Sequence, residues 1–283
     1  MNVGGHVSIA GGFDKSIDRA VDIGANILQT FASSPRSLKT KNFEDEIIEK
    51  YLIKKESNKM GDHFFHGVYL INLAHEDPKY AQASAESLIF YQKLAKKING
   101  VGTIFHTGSH KGRGFDAVKK QVVKSVEKVL ENTPDGVRLY IENMAGQKGV
   151  IGSDLRELRY IYDSISSKEL QGKLSVCYDT QHGFGAGYDI RNKQAVEKTV
   201  EEIENILSFD LIGVIHINDS LVEFNSHKDR HANVGEGEIG ENGFREFINH
   251  NKIRELPFIL EVPGENRSGP RDVDVEKMKL LYK

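Results

Sequence analysis

Eight short apolar runs alternate with amphipathic stretches along the whole chain, and this constrains the fold more than any other feature. The runs are HVSIA near Val7, NILQTF near Leu28, FFHGVYL near His66, GTIFHTG near Phe105, VRLYIEN near Tyr140, LSVCYDT near Cys177, LIGVIHIND near Ile215 and PFILEV near Ile259. Their Val, Ile, Phe and Tyr content is that of strands. Helical spacing of apolar residues falls between them, at 13–23, 44–59, 81–98, 115–131, 154–165, 194–207, 242–249 and 273–282. Strands regularly followed by helices build a parallel sheet, and eight such units close into a (β/α)8 TIM barrel. A chain of 283 residues is the usual size of one such barrel. No repeat or linker interrupts it, so residues 1–283 read as a single catalytic domain.

Composition narrows the function classes. No apolar run reaches the roughly 18 residues of a membrane span, and the start MNVGGHVSIAGG lacks a signal-peptide pattern. The single cysteine, Cys177, excludes an internal disulfide. A cytoplasmic protein is expected. The net charge of −3 argues weakly against a nucleic-acid partner, although three bound divalent cations would reverse its sign.

In a barrel of this kind, reactive groups sit at the C-terminal ends of the strands. The third run leads to His66 and then YLINLA, the fourth ends at His106, and the fifth at Glu142. The sixth ends at Asp179, with His182 three residues on. The seventh ends at His216 and leads into a loop with Asp229 and His231; the eighth ends at Glu261. Imidazole and carboxylate together are zinc ligands when thiolates are absent, and nine exceed what one tetrahedral ion takes. Any one of the nine alone reads as an ordinary hydrogen-bonded polar group. Buried together without a cation, His106, Glu142, Asp179 and Glu261 would cost several kcal/mol. A multinuclear metal site with a bridging carboxylate is therefore expected. Of the other histidines, His6 and His110 stand nearest to strand ends, whereas His63, His75, His227 and His250 read as surface or supporting groups.

Other motifs carry less. GEGEIG (235–240) has the spacing of a dinucleotide fingerprint but follows a polar loop and bears two glutamates, so a dinucleotide site is not expected. Cys177 lies mid-strand and reads as core. HTGSHKGRG (106–114) could cradle a phosphate with backbone N–H groups and Lys111 or Arg113, or be a solvated loop.

These motifs resemble the endonuclease IV family of apurinic/apyrimidinic endonucleases, from GGHVS at Gly4 to EVPGE at Glu265. The resemblance is carried chiefly by HGVYLINLA from His66, CYDTQH from Cys177, and HINDS at His216 continuing to KDRH at His231. It implies a barrel with three zinc ions (Mn²⁺ being possible at one position). His66 and His106 would bind the first, with Glu142 bridging to the second. Asp179, His216 and Glu261 would complete the second, and His182, Asp229 and His231 would hold the third. It further implies hydrolysis of double-stranded DNA 5′ to an abasic site, leaving a 3′-hydroxyl and a 5′-deoxyribose phosphate, and removal of blocked 3′ ends. Glu142 and Glu261 are the implied catalytic residues. Arg36, Tyr69 and Leu70 match the positions that wedge into the duplex, and a monomer is expected because DNA needs the open face. The chain departs from the family at Leu38 (usually aromatic), Thr107 (usually proline), Tyr178 (usually apolar), Gln181 (usually cysteine) and Leu221 (usually lysine), and it has no tryptophan.

Two rival readings remain open from residues alone. A sugar isomerase or epimerase would use Glu142, Asp179, His216 and Glu261 for one or two divalent metals, leaving His182, Asp229 and His231 without a role. A lesion-binding protein without turnover would keep the site and lose catalysis.

Overall fold

A computed structural model of the protein describes residues 1–40 and 42–283. The barrel strands are β1 (Val3–His6), β2 (Ile27–Thr30), β3 (His63–His66), β4 (Gly102–Phe105), β5 (Arg138–Glu142), β6 (Leu174–Asp179) and β7 (Ile212–Ile217). A small antiparallel hairpin, β8 (Asp219–Ser220) with β9 (His231–Ala232), follows, and β10 (Phe258–Leu260) is the last barrel strand. The parallel ladder runs β1-β10-β7-β6-β5-β4-β3-β2 and closes on itself. Helices lie between the strands, as in a (β/α)8 barrel. No helix among the described residues is long and apolar enough to cross a membrane.

Side chains alternate between the barrel interior and the helical layer. Ile27, Phe64, Ile104, Tyr140, Cys177, Val214 and Ile259 pack together as an apolar floor inside the barrel, with Gly4 completing the circle in register with Ile27 and Ile259. The alternate set faces the helices and joins the larger core, for example Leu28, Phe65, Phe105, Ile141, Val176 and Ile215. Cys177 is thus a buried floor residue, and burial pushes its thiol up to about 12, so it is no ready nucleophile.

Several expectations are corrected. The first strand is not HVSIA but Val3–His6, and it ends where that run begins. Glycine is poor in strands, yet a Cβ at Gly4 would lie 1.9 Å from the Ile27 carbonyl oxygen, so the close approach of β1 to β2 requires it. The third strand stops at His66, and Gly67 to Leu70 turn out over the rim. The third helix begins earlier than residue 81, at Pro78, with the Asp77 carboxylate capping it through Lys79 N at 2.9 Å. A helix at Thr180–Ala186 was hidden from the periodicity because it is buried on all sides. His63 is no surface group. It is fully buried on the outer side of β3, 2.6 Å from the Tyr51 hydroxyl and 2.8 Å from Thr30 Oγ1.

Candidate metal centre

One strand position separates the floor from the site. Two residues beyond each floor residue, the same inward face carries His6, Gln29, His66, His106, Glu142, Asp179, His216 and Glu261. A period of two fixes this ring: once Phe64 points inward, so does His66. His182 joins from the first turn of the helix after β6, where Asp179 is the N-cap and its Oδ1 accepts from His182 N at 2.9 Å. Asp229 is delivered by the loop that closes the β8–β9 hairpin, and His231 is the first residue of β9. All nine residues singled out from the sequence therefore converge.

They fall into overlapping groups whose ligand-type atoms lie within 4.8 Å of one another: His66, His106 and Glu142; Glu142, Asp179, His216 and Glu261; and Asp179, His182 and His231. Asp229 completes the last group, 3.5 Å from His182 Nε2 and 3.3 Å from His231 Nε2. Glu142 is the centre, with His66 and His106 Nε2 each at 3.2 Å, His216 Nδ1 at 3.1 Å and His182 Nδ1 at 3.3 Å. Glu142, Asp179 and His216 are fully buried, while His106, Asp229 and His231 stand at the open side.

Hydrogen bonding sets the imidazole tautomers. A carbonyl oxygen only accepts, so a ring nitrogen beside one carries the proton and leaves the other nitrogen bare. His66 Nδ1 donates to Gly67 O at 2.7 Å, His182 Nδ1 to Asn143 O at 2.9 Å and His231 Nδ1 to Glu261 O at 3.1 Å. His216 Nε2 lies 2.9 Å from the amide oxygen of Gln29. The opposite nitrogens all face carboxylates. Two of them, His182 Nε2 and His231 Nε2, are buried and have no hydrogen-bond partner among the described residues. Lone pairs aimed at carboxylate oxygens need positive charge between them, which an extra proton or a cation supplies. Burial alone would lower His182, but Asp179, Asp229 and Glu142 outweigh it and push it well above the usual imidazole range. Burial likewise works to raise Glu142, and the imidazoles of His216 and His106 overcome it, holding the carboxyl well below its usual range. The donor set and its orphaned nitrogens fit divalent cations.

Sequence reasoning missed the supporting residues. Asn218 Nδ2 donates to Asp179 Oδ2 at 2.6 Å, and its Oδ1 accepts from Glu261 N at 2.9 Å. Asn143 and Gln29 also contact the cluster. His6, expected only to approach the site, lies 3.0 Å from Glu261 Oε1. Counting two positions from each interior apolar residue leads to Gln29, once the barrel shows which residues are interior. His110 stays outside the cluster, where its Nδ1 accepts from Gly114 N.

The rim residues are placed as follows. Tyr69 and Leu70 are 60% and 40% exposed, so ordinary core packing does not explain them. The Tyr69 ring lies 5.4 Å from Phe31, 5.7 Å from His66 and 6.0 Å from His106. Arg36 is exposed in the segment after β2. Tyr69, Leu70, His106 and Lys111 line a cavity of about 380 Å³, together with Asn72 and Ser109. The 106–114 loop is not a free phosphate cradle, because the N–H groups of Ser109, His110, Lys111, Arg113 and Gly114 are bonded within the protein. In GEGEIG, the N–H groups of Gly235, Gly237, Ile239 and Gly240 all donate to the Asp219 carboxylate. The amides a pyrophosphate would need are taken by the chain's own acid.

Two of the departures from the family pattern, Tyr178 and Gln181, have local explanations. Tyr178 packs on the outer side of β6 near Phe247, and a Cβ at Gly183 would lie 2.2 Å from its hydroxyl, so the glycine makes room for the ring. Gln181 donates to Lys228 O at 3.0 Å, tying down the loop that carries Asp229. Leu38 packs against the core, Thr107 is buried and Leu221 is exposed.

Comparison with known proteins agrees with this construction. Residues 14–283 match the family described as a xylose isomerase-like TIM barrel. A probable endonuclease 4 from Halothermothrix orenii is 40% identical over 283 residues, covering 99% of each chain. The crystal structure of endonuclease IV from Thermus thermophilus superposes with a TM-score of 0.84 at 27% identity, covering 99% of this chain and 98% of that one. A D-tagatose 3-epimerase-like protein superposes with a TM-score of 0.74 at 19% identity, covering 99% and 96%, a likeness of fold alone. With its (β/α)8 barrel, its rim of imidazoles and carboxylates and this full-length similarity, the chain belongs to the endonuclease IV family.

Proposed function

We propose that this chain is a zinc-dependent apurinic/apyrimidinic endonuclease. It hydrolyses the phosphodiester 5′ to an abasic site, leaves a 3′-hydroxyl and a 5′-deoxyribose phosphate, and cleans blocked 3′ ends by the same chemistry. The observation that carries this reading is the set of bare imidazole nitrogens turned onto shared carboxylates. In it, His66, His106 and Glu142 hold one ion, Glu142, Asp179, His216 and Glu261 a second, and His182, Asp229 and His231 a third. Bound zinc makes a water acidic enough to ionise near neutral pH and neutralises charge on a phosphodiester. The donor set contains no thiolate and accommodates Mn²⁺ at one position.

The chain's own residues do the rest. Glu142 bridges two of the groups and holds their histidines together. Glu261 has Oε1 tied back by Gln29, which leaves Oε2 to face the second ion's position and orient the attacking water there. The open side, marked by His106, Asp229 and His231, admits the phosphate. Tyr69 and Leu70 stand exposed beside it as an apolar wedge, with Arg36 reaching the minor groove. An abasic nucleotide lacks stacking and pairing, so extruding it is cheaper than extruding an intact one, and that difference supplies selectivity. The epimerase alternative leaves unexplained the third group, His182, Asp229 and His231.

Metal analysis run beside an incision assay tests the reading. About three zinc ions per chain and a nick 5′ to a tetrahydrofuran site in duplex DNA are expected. One manganese or magnesium with no nick points to sugar chemistry, and tight lesion binding without a nick sinks the enzyme.

A further inference from the structure

One member of the ring above the barrel floor does not ionise. Gln29 is fully buried on β2 and spans from β10 to β7 across the mouth of the barrel. Its Nε2 lies 2.5 Å from Glu261 Oε1, and its Oε1 lies 2.9 Å from His216 Nε2. We propose that Gln29 is a positioning residue that selects the tautomer of His216 and ties back one oxygen of Glu261, so that both direct free lone pairs to the same divalent cation. This rests on the metal-centre reading above.

An ionised carboxylate only accepts, so the amide group nearest Glu261 must be NH₂. The reverse orientation would press two acceptor oxygens together. The amide oxygen is thereby turned onto His216 Nε2, which must carry the imidazole proton. His216 Nδ1 is left bare, 3.1 Å from Glu142 Oε1 and 3.3 Å from Glu261 Oε2. On the other side, Oε1 of Glu261 is occupied by Gln29, whose Nε2 also lies 2.9 Å from His6 Nδ1. Outer residues that orient ligands in this way typically contribute 10–100-fold to metal affinity.

Gln29→Met keeps the length and volume of the side chain and removes its contacts to Glu261, His216 and His6. Zinc-loaded wild type and variant are dialysed against graded chelator and their zinc per chain measured, while melting of the fully chelated forms reports folding separately. The variant should release one zinc at roughly 10–100-fold weaker chelation, with chelated melting unchanged. Gln29→Glu, which sets a second carboxylate against Glu261, should release the same zinc. Equal retention in Gln29→Met and wild type overturns the role of Gln29 alone. A wild-type chain that takes up no zinc overturns the metal-centre reading beneath it. Should neither variant fold, ¹⁵N-histidine spectra of the zinc-loaded wild type decide. A His216 Nε2–H in slow exchange with solvent supports the proposal, and a proton on Nδ1 or an unprotonated Nε2 overturns it.

Discussion

Glu142 and Asp219 are both fully buried at the C-terminal end of the barrel, and their surroundings differ in kind. Asp219 is wrapped by backbone: Ser220, Gly235, Gly237, Ile239 and Gly240 donate N–H groups to it at 2.7 to 3.2 Å. The glycines allow that approach, since a Cβ at Gly237 would lie 2.6 Å from Asp219 Oδ1. Glu142 instead faces four imidazoles, two of which, His66 and His182, have committed an N–H to a carbonyl elsewhere. The first carboxylate is complete within the protein and organises a loop. The second is complete only with added positive charge. Burial of an acid thus does not by itself mark a metal site; what marks it is whether the donors around it have protons to give.

Four experiments press on this contrast, beginning with the largest expected effect. Glu142→Ala should lower incision at a tetrahydrofuran site at least about 10³-fold and reduce zinc per chain; full activity with full zinc would break the contrast at its centre. Chelation should destabilise the wild type by about 4 kcal/mol relative to a solution with free zinc 1,000-fold above its dissociation constant. Calorimetry should find that difference much smaller in Glu142→Ala. Asp219→Asn should cost about 3 kcal/mol in denaturant unfolding, since its amide cannot accept from every N–H now pointed at it, yet zinc per folded chain should hold. If Asp219→Asn strips zinc as Glu142→Ala does, the two regions are not distinct. Tyr69→Ala, outside both acids, should retain zinc and weaken discrimination between abasic and intact duplex roughly 10-fold; unchanged discrimination removes the wedge.

A smaller effect comes from His63, buried on the far side of β3 against the hydroxyls of Tyr51 and Thr30. Burial first, and then the charge of Lys55, hold it well below its ordinary value of 6.5. The folded state therefore resists protonation. The stability this histidine contributes is complete above about pH 6.5 and lost as pH falls below it. Melting of wild type against His63→Gln should show the wild-type advantage shrinking by roughly 1 kcal/mol between pH 7.5 and 5.5. A constant difference would mean that His63 is protonated as easily folded as unfolded.

Much of this was readable beforehand, for reasons that differ by residue. His66, Glu142 and His216 end short strand-like runs, so their inward direction follows from the period of two once one residue of the run is known to face the interior. His182, Asp229 and His231 were legible by their spacing and family resemblance, while their convergence depends on a helix and a hairpin that the periodicity did not reveal. Gln29 was invisible because a neutral amide inside an apolar run carries no signal of its own. HVSIA was misplaced because the glycines that disfavour a strand locally are demanded by an adjacent strand 23 residues away in sequence, Gly4 against Ile27.

By itself, then, the amino-acid order determined the eight-fold alternation, the closed barrel and the identity of the residues on its rim, because periodicity and residue chemistry are local properties. Only the tertiary structure decided which nitrogen of each histidine is bare, which acid is satisfied by amides and which turns to imidazoles, and that Gln29 belongs to the site. Those depend on the carbonyls, amides and carboxylates that closure of the barrel brings within about 3 Å, from strands up to 255 residues apart.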